Sequence, residues 1–246
     1  MAAASNSLRQ EAFKQTAQPV YVLHTYPFKE TSLVVELFSQ QFGRVAAVAK
    51  GARRPHSAMR GLLQSFQMLS GAWSGKNELK ILHSLDWNAG LTLLKGEALM
   101  CGFYMNELLL RLLPREDAHE GLFSYYATAL QTLVEDTDSA STLRRFELKL
   151  LQELGYAVPL LQDENDVSIE TDKIYRYEAE YGACELAVTR IGVQCRGKTL
   201  LDMARDDYSD AQTQSQSKQL MRYLLAHYLG EKPLHTRQLL IDLQEL

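Results

Sequence analysis

Two hydrophobic periods divide this chain. Up to about Trp87 the apolar residues come in short runs broken by glycine and polar turns. Beyond about Asn88 they recur every three to four residues. In the first part, Gln18–Thr25 is apolar and β-branched and ends at Tyr26-Pro27. Ser32–Ser39 is a near-continuous apolar run, and Arg44–Lys50 follows the turn Gln41-Phe42-Gly43. Leu62–Trp73 and Glu78–Trp87 flank a second turn, Ser74-Gly75-Lys76-Asn77. Five strands at such close spacing, joined by glycine turns, predict a small barrel.

The second part predicts helices. Leu91–Leu113 is long, apolar and halted by Pro114, and Gly121–Val134 follows it. Ser141–Leu154 carries Leu143, Phe146, Leu150, Leu151 and Leu154 on one face, with Gly155 as its C-terminal cap. Residues 162–172 are acidic and irregular, and Tyr175–Val193 reads as a short hairpin around Tyr181-Gly182. Ser215–Leu229 and Thr236–Leu246 read as the closing helices. The expected fold class is α+β. Residues 1–16 form a loose leader and 17–88 a five-stranded barrel. A mainly helical domain spans 89–246, with a small irregular or β insertion at about 160–200.

Charge sharpens that division. The whole chain is net negative, with 26 Lys and Arg against 30 Asp and Glu. Residues 17–90 nevertheless hold eight bases and four acids, while 91–246 hold 16 bases and 25 acids. No acidic residue lies between Glu36 and Glu78, yet Arg44, Lys50, Arg53, Arg54 and Arg60 all fall there. Such local positive potential on an acidic protein suits a bound anion, above all a nucleic-acid backbone. Phe42, Phe66 and Trp73 lie close by in sequence and could offer stacking faces to single-stranded bases. Residues alone leave a second reading open, a solvated basic loop with the aromatics in the core. The spacing specifies no base-edge contact, so binding should depend weakly on sequence.

Other chemistry is sparse. Cys101, Cys184 and Cys195 make neither a disulfide framework nor a zinc spacing, which suits the reducing cytoplasm and predicts no metal. No apolar run reaches membrane-spanning length, and no signal peptide is read at the N-terminus. Gly192–Thr199 fits the phosphate-binding pattern G-x-x-x-x-G-K-[ST] letter for letter. Only 47 residues follow it, and they read as helices, so the parallel strands of a nucleotide-hydrolysing core have nowhere to form. No nucleophile, base and orienter assemble into a catalytic constellation, and an enzyme is not expected. Arg144-Arg145 sits beside the apolar face of the 141–154 helix. It is either surface charge paired with Glu147 or Glu153, or a basic rim for an acidic peptide with an apolar anchor.

Several blocks together resemble the RecO family of bacterial recombination mediators. They are Tyr21-Val22-Leu23-His24, Lys29-Glu30-Thr31-Ser32-Leu33, Phe42-Gly43-Arg44-Val45 and Val48-Ala49-Lys50-Gly51-Ala52-Arg53. Further on come Tyr104-Met105-Asn106-Glu107-Leu108-Leu109, Leu143-Arg144-Arg145-Phe146-Glu147-Leu148 and Tyr228-Leu229-Gly230-Glu231-Lys232-Pro233-Leu234. The likeness spans about residues 18–240. It implies an OB-fold barrel and a helical domain, binding to single- and double-stranded DNA, and annealing of complementary strands. It also implies docking on the C-terminal tail of single-strand-binding protein, and cooperation with RecR to load RecA. Such a protein would work in the cytoplasm, at the nucleoid. Carried over, Arg44, Lys50, Arg53 and Arg54 belong to the DNA-linked barrel segment, and Arg144 to the block that holds the partner's acidic tail. The family's four-cysteine zinc pattern is absent here, so the resemblance predicts a metal-free remnant. The competing readings are an ATP-dependent enzyme built on Gly192–Thr199 and a helical adaptor that touches no nucleic acid.

Overall fold

A computed structural model describes residues 14–88, 90, 93–135, 138–156, 158–186, 191–230, 233–236 and 238. Most of the expected leader and nearly all of the expected last helix lie outside the described residues. The chain divides into two compact units, residues 1–134 and 135–246.

In the first unit, β1 (Lys14–Phe28), β2 (Ser32–Ser39), β3 (Gly43–Ala49), β4 (Met68–Ser74) and β5 (Leu79–Trp87) close a barrel in the order β1-β2-β3-β5-β4. All neighbours are antiparallel except β3 and β5, whose parallel pairing closes the ring. Alternation decides which residues fill it. Val20, Val22, Val35, Leu37, Val45, Ala47, Leu69, Trp73 and Leu82 form one buried cluster. Residues of the other phase on β1 and β2 meet α2 (Glu120–Glu135), where Tyr21 and Phe38 pack edge-on against Tyr126 and tilted against Phe123. From α1 (Gly96–Leu112), Asn106 donates to the Leu23 carbonyl at 2.9 Å and accepts from the Tyr126 hydroxyl at 2.6 Å. Both helices thus belong to the barrel's packing.

The expected strand over Leu62–Trp73 starts only at Met68. A 3-10 turn occupies Ala58–Gly61, and Phe66 takes a left-handed φ of 70°, which interrupts an extended run. The Phe66 ring packs at 5.0 Å from that of Phe103 on α1. A Cβ on the intervening Gly102 would come within 2.9 Å of it.

In the second unit, α3 (Ser139–Glu153) is capped by Asp138, which accepts from the Ser141 amide, and ends at Gly155 with φ 80°. A three-stranded antiparallel sheet, ordered β7-β6-β8, joins β6 (Ile174–Glu178), β7 (Gly182–Glu185) and β8 (Val193–Arg196). The helix α4 (Gly197–Ala204) follows β8 directly. Then α5 (Ala211–Leu229) begins four residues before the expected start, because Asp210 accepts from the Gln212 and Thr213 amides.

Candidate nucleic-acid interface

The turn from β1 to β2 and the loop after β3 meet beside the start of β5. There they enclose a groove of about 440 Å³. Phe28, Val48, Leu79 and Ile81 give it apolar surface, and Lys29, Lys50 and Arg54 give it positive charge, while Lys80 alternates with Leu79 and Ile81, is buried, and pairs with Glu116. Hydrogen bonding fixes the geometry. The Arg53 amide donates to the Thr31 carbonyl at 2.9 Å, and its guanidinium donates to the Lys29 carbonyl at 3.4 Å. The post-β3 loop is therefore tied to the β1–β2 turn. Arg54 closes that loop with a backbone bond to Gly51 at 3.0 Å, where Gly51 holds φ 69°. Side chains that are unlike in charge and polarity thus line one concavity. It can hold a phosphate chain along its cations while apolar surface faces the bases.

The expected basic residues separate. Lys50, Arg53, Arg54 and Arg60 are exposed. Lys50 and Arg54 line the groove, Arg53 braces it, and Arg60 stands on the 3-10 turn, outside its lining. Arg44 points elsewhere. Its side chain is 16% exposed, 3.4 Å from Glu36, and its Nε donates to the Leu113 carbonyl at 3.0 Å. Burial lowers its pKa from the ordinary arginine value, against the opposing pull of Glu36. Arg44 is a fastening between β3 and the end of α1. The stacking role weighed for Trp73 and Phe66 is corrected, since they are 2% and 5% exposed and packed inside the unit. Phe42 lies against Trp73 at 5.6 Å. Sequence reasoning missed Lys29 and Phe28. A signal for Lys29 was present, because it sits in the polar turn after Tyr26-Pro27-Phe28.

In the second unit the two arginines of α3 each hold a carboxylate. Arg144 Nη2 lies 2.8 Å from Glu147 Oε1, and Glu147 is fully buried. Arg145 Nε lies 2.6 Å from Asp206, and its guanidinium stands over the Tyr208 ring at 5.4 Å. Burial pushes the Tyr208 hydroxyl pKa up to about 12. Of the two arginines, Arg145 is the more accessible, with 30% of its side chain exposed against 10% for Arg144.

The phosphate-loop pattern has another explanation. Residues 193–196 are strand, and their ladder with β6 runs through Tyr177↔Val193 and Ile174↔Arg196. Extended backbone does not form the loop that wraps a phosphate, and the Arg196, Gly197 and Lys198 amides already donate to the Gln216 side chain and to the Lys173 and Thr171 carbonyls. The glycines answer packing instead. A Cβ on Gly197 would lie 1.9 Å from the Glu170 carbonyl oxygen, and one on Gly192 would lie 2.5 Å from the Tyr177 carbonyl oxygen. Lys198 pairs with Asp202 and Asp210, and Thr199 donates to Gln216 at 2.7 Å. Cys184 lies opposite Arg176 and Cys195 opposite Tyr175. Adjacent residues of β6 face opposite ways, so the two buried thiols lie on opposite faces of the sheet and cannot share one ion. Among the described residues no group of three or more His, Cys, Asp or Glu is placed to hold a metal, and no helix is long and apolar enough to cross a membrane.

Two family models cover the chain. "Recombination protein O N terminal" matches residues 13–90, and "Recombination protein O C terminal" matches residues 93–238. Curated relatives agree over nearly the whole chain. The DNA repair protein RecO of Nitrosospira multiformis is 52% identical, covering 95% of this chain and 98% of its own. That of Dechloromonas aromatica is also 52% identical, with the same coverage. The RecO of Aromatoleum aromaticum is 53% identical over 93% of this chain and 96% of its own.

Proposed function

This chain belongs to the RecO family of DNA repair proteins, and on that premise we propose that it binds DNA through the basic groove of its OB-fold barrel and anneals complementary strands. The observation that carries this reading is the convergence of Lys29, Lys50 and Arg54 on one concave surface of an otherwise acidic protein. Cations along the groove neutralise phosphates of one strand. A second strand then approaches with less charge repulsion and pairs, without nucleotide hydrolysis. Double-stranded DNA meets the same cations, since contacts to phosphates carry no sequence information. The acidic remainder of the chain limits indiscriminate coating of DNA.

The mediator role is the second half of the proposal. The segment around Arg145 holds the acidic C-terminal tail of single-strand-binding protein, in competition with Asp206. Together with RecR the protein then helps load RecA onto the coated strand, at the nucleoid in the cytoplasm. None of these steps needs the chain to catalyse a reaction, and the strand geometry of residues 193–196 favours no nucleotide-dependent alternative.

Salt titration of single-strand binding tests the groove. Five outward cations, Lys29, Lys50, Arg53, Arg54 and Arg60, predict that log affinity falls against log salt with a slope of about −3.5. Charge removal at Lys50, Arg53 and Arg54 together should flatten that slope to about −1.4. A slope near zero in the unmodified protein would end the reading. Annealing of bare and coated complementary strands, without ATP and with or without RecR, tests the mediator role.

A further inference from the structure

A bulge in β1 decides which of its aromatics face outward. Before it, Tyr21 lies opposite Phe38 and Val22 opposite Leu37. After it, His24 lies opposite Glu36 and Tyr26 opposite Val34, with Leu23 as the extra residue. The alternation therefore changes phase within the strand. Tyr21 faces out of the barrel before the bulge, and His24, Tyr26 and Phe28 face out after it. Without the bulge Tyr26 would share the inward phase of Val22, but it is 46% exposed. The His24 ring meets it edge-on at 4.5 Å.

Tyr26 is one end of a row that crosses the barrel. The ladders run Tyr26↔Val34, Val34↔Val48 and Val48↔Ile81, one apolar or aromatic residue on each of β1, β2, β3 and β5. Val48 and Ile81 line the basic groove, and so does Phe28, two residues beyond Tyr26 on β1. Lys29 Nζ stands over the Phe28 ring at 5.4 Å. Three strand spacings of about 4.8 Å make the row roughly 14 Å long. Stacked bases about 3.4 Å apart would place about four nucleotides along it. A single exposed apolar residue needs no explanation, but a continuous row that ends in a cationic groove marks a binding surface. An unpaired strand is the occupant whose chemistry fits. Its phosphates meet Lys29, Lys50 and Arg54, and its bases offer flat faces to an aromatic ring.

We propose that Tyr26 stacks on an unpaired base, extending the basic groove across the outer face of the barrel and making it selective for single strands. The proposal rests on the groove being the nucleic-acid interface. Cations alone hold single strands and duplex alike, since phosphates are common to both. In a duplex the base faces are already stacked on one another, and Tyr26 adds nothing. In an unpaired strand a base can leave its neighbour for the ring. Stacking occupies the face of that base and leaves its pairing edge open to a second strand, which suits annealing.

The experiment uses the full chain, a fluorescent oligodeoxythymidylate and a fluorescent duplex of the same length, titrated at several salt concentrations. Y26A should weaken single-strand binding about tenfold, as the loss of one stacked base does, and change duplex binding less than about twofold. Its salt slope should match that of the unmodified protein, because no phosphate contact is removed. Y26F keeps the ring and should recover most of the single-strand affinity. Unchanged single-strand affinity in Y26A, with binding still weakened in K50A/R54A, would overturn the proposal and leave the groove standing. An equal loss for both DNAs, or a loss as large in Y26F as in Y26A, would also overturn it, because the fold or the hydroxyl would then be responsible. Binding indifferent to K50A/R54A would overturn the groove itself.

Discussion

Arg44, Arg54, Arg144 and Arg145 are alike in sequence and unlike in surroundings. The acid-free window made the basic segment legible, but not which of its bases face outward. Arg44's partners are Glu36, brought alongside by the β2–β3 ladder, and the Leu113 carbonyl, 69 residues away. Neither proximity is written in local spacing. On α3, pairing at i,i+3 was readable, and the Arg144–Glu147 pair is of that kind. Its burial was not readable, because it comes from tertiary packing. The two arginines should therefore respond differently to truncation. Arg144→Ala leaves Glu147 in the interior and should cost about 3 kcal/mol in urea unfolding. Arg145→Ala breaks a half-exposed pair and should cost less than about 1 kcal/mol. Affinity for a peptide ending in an acidic run plus an apolar residue is then interpretable in Arg145→Ala. A loss seen only in Arg144→Ala would reflect stability. Lys198 and Gly197 separate in the same way. Gly197→Ala forces a methyl group against the Glu170 carbonyl and should destabilise by about 2 kcal/mol. Lys198→Ala should leave DNA binding unchanged in the salt titration.

Element ends were legible where a residue type forces the conformation. Gly155 ends α3 as expected, whereas both helix starts came earlier than Ser141 and Ser215, because Asp138 and Asp210 accept orphan amides. The strand expected from Leu62 was not legible, since Phe66 is an apolar residue in a glycine-like conformation, held by Phe103 of a helix distant in sequence. The phosphate-loop pattern misleads for a related reason. Strand followed by helix is present there, but the letters between the glycines are ladder residues and not a loop. The capping of α3 gives a pH prediction. Hydrogen bonds from Ser141 hold the Asp138 carboxylate below its ordinary pKa. A depressed folded-state pKa contributes stability above the unfolded value of about 3.9, and that contribution is lost as pH falls through the folded value. Asp138→Ala should then cost about 1 kcal/mol at pH 7. The difference from the unmodified protein should shrink as pH drops below about 4. A difference independent of pH, measured by urea unfolding, would show that the carboxylate charge does not contribute.

At the scale of the whole chain, the change of hydrophobic period near residue 88 marked where strands give way to helices, and the family models divide at nearly the same place. Packing divides the molecule later, at residue 134. A period identifies the type of an element but not its partner. The apolar faces of α1 and α2 say that they are buried, without saying against what. The barrel's own surface holds the answer. Tyr21 and Phe38 lie outside the barrel's inner cluster and are nevertheless 4% and 0% exposed, because Phe123 and Tyr126 cover them. A fragment cut at residue 90 would bare those aromatics and leave the Leu23 carbonyl without its Asn106 donor. An exposed apolar patch of that kind favours association over a unique fold. Residues 1–135 should therefore fold cooperatively, with a single thermal transition and dispersed amide resonances. Residues 1–90 should aggregate or melt without cooperativity. If the shorter fragment alone gave a sharp transition and bound oligonucleotide with the full salt slope, the helices would be dispensable cover. The barrel would then be the autonomous DNA-binding domain that its strand pattern first suggested.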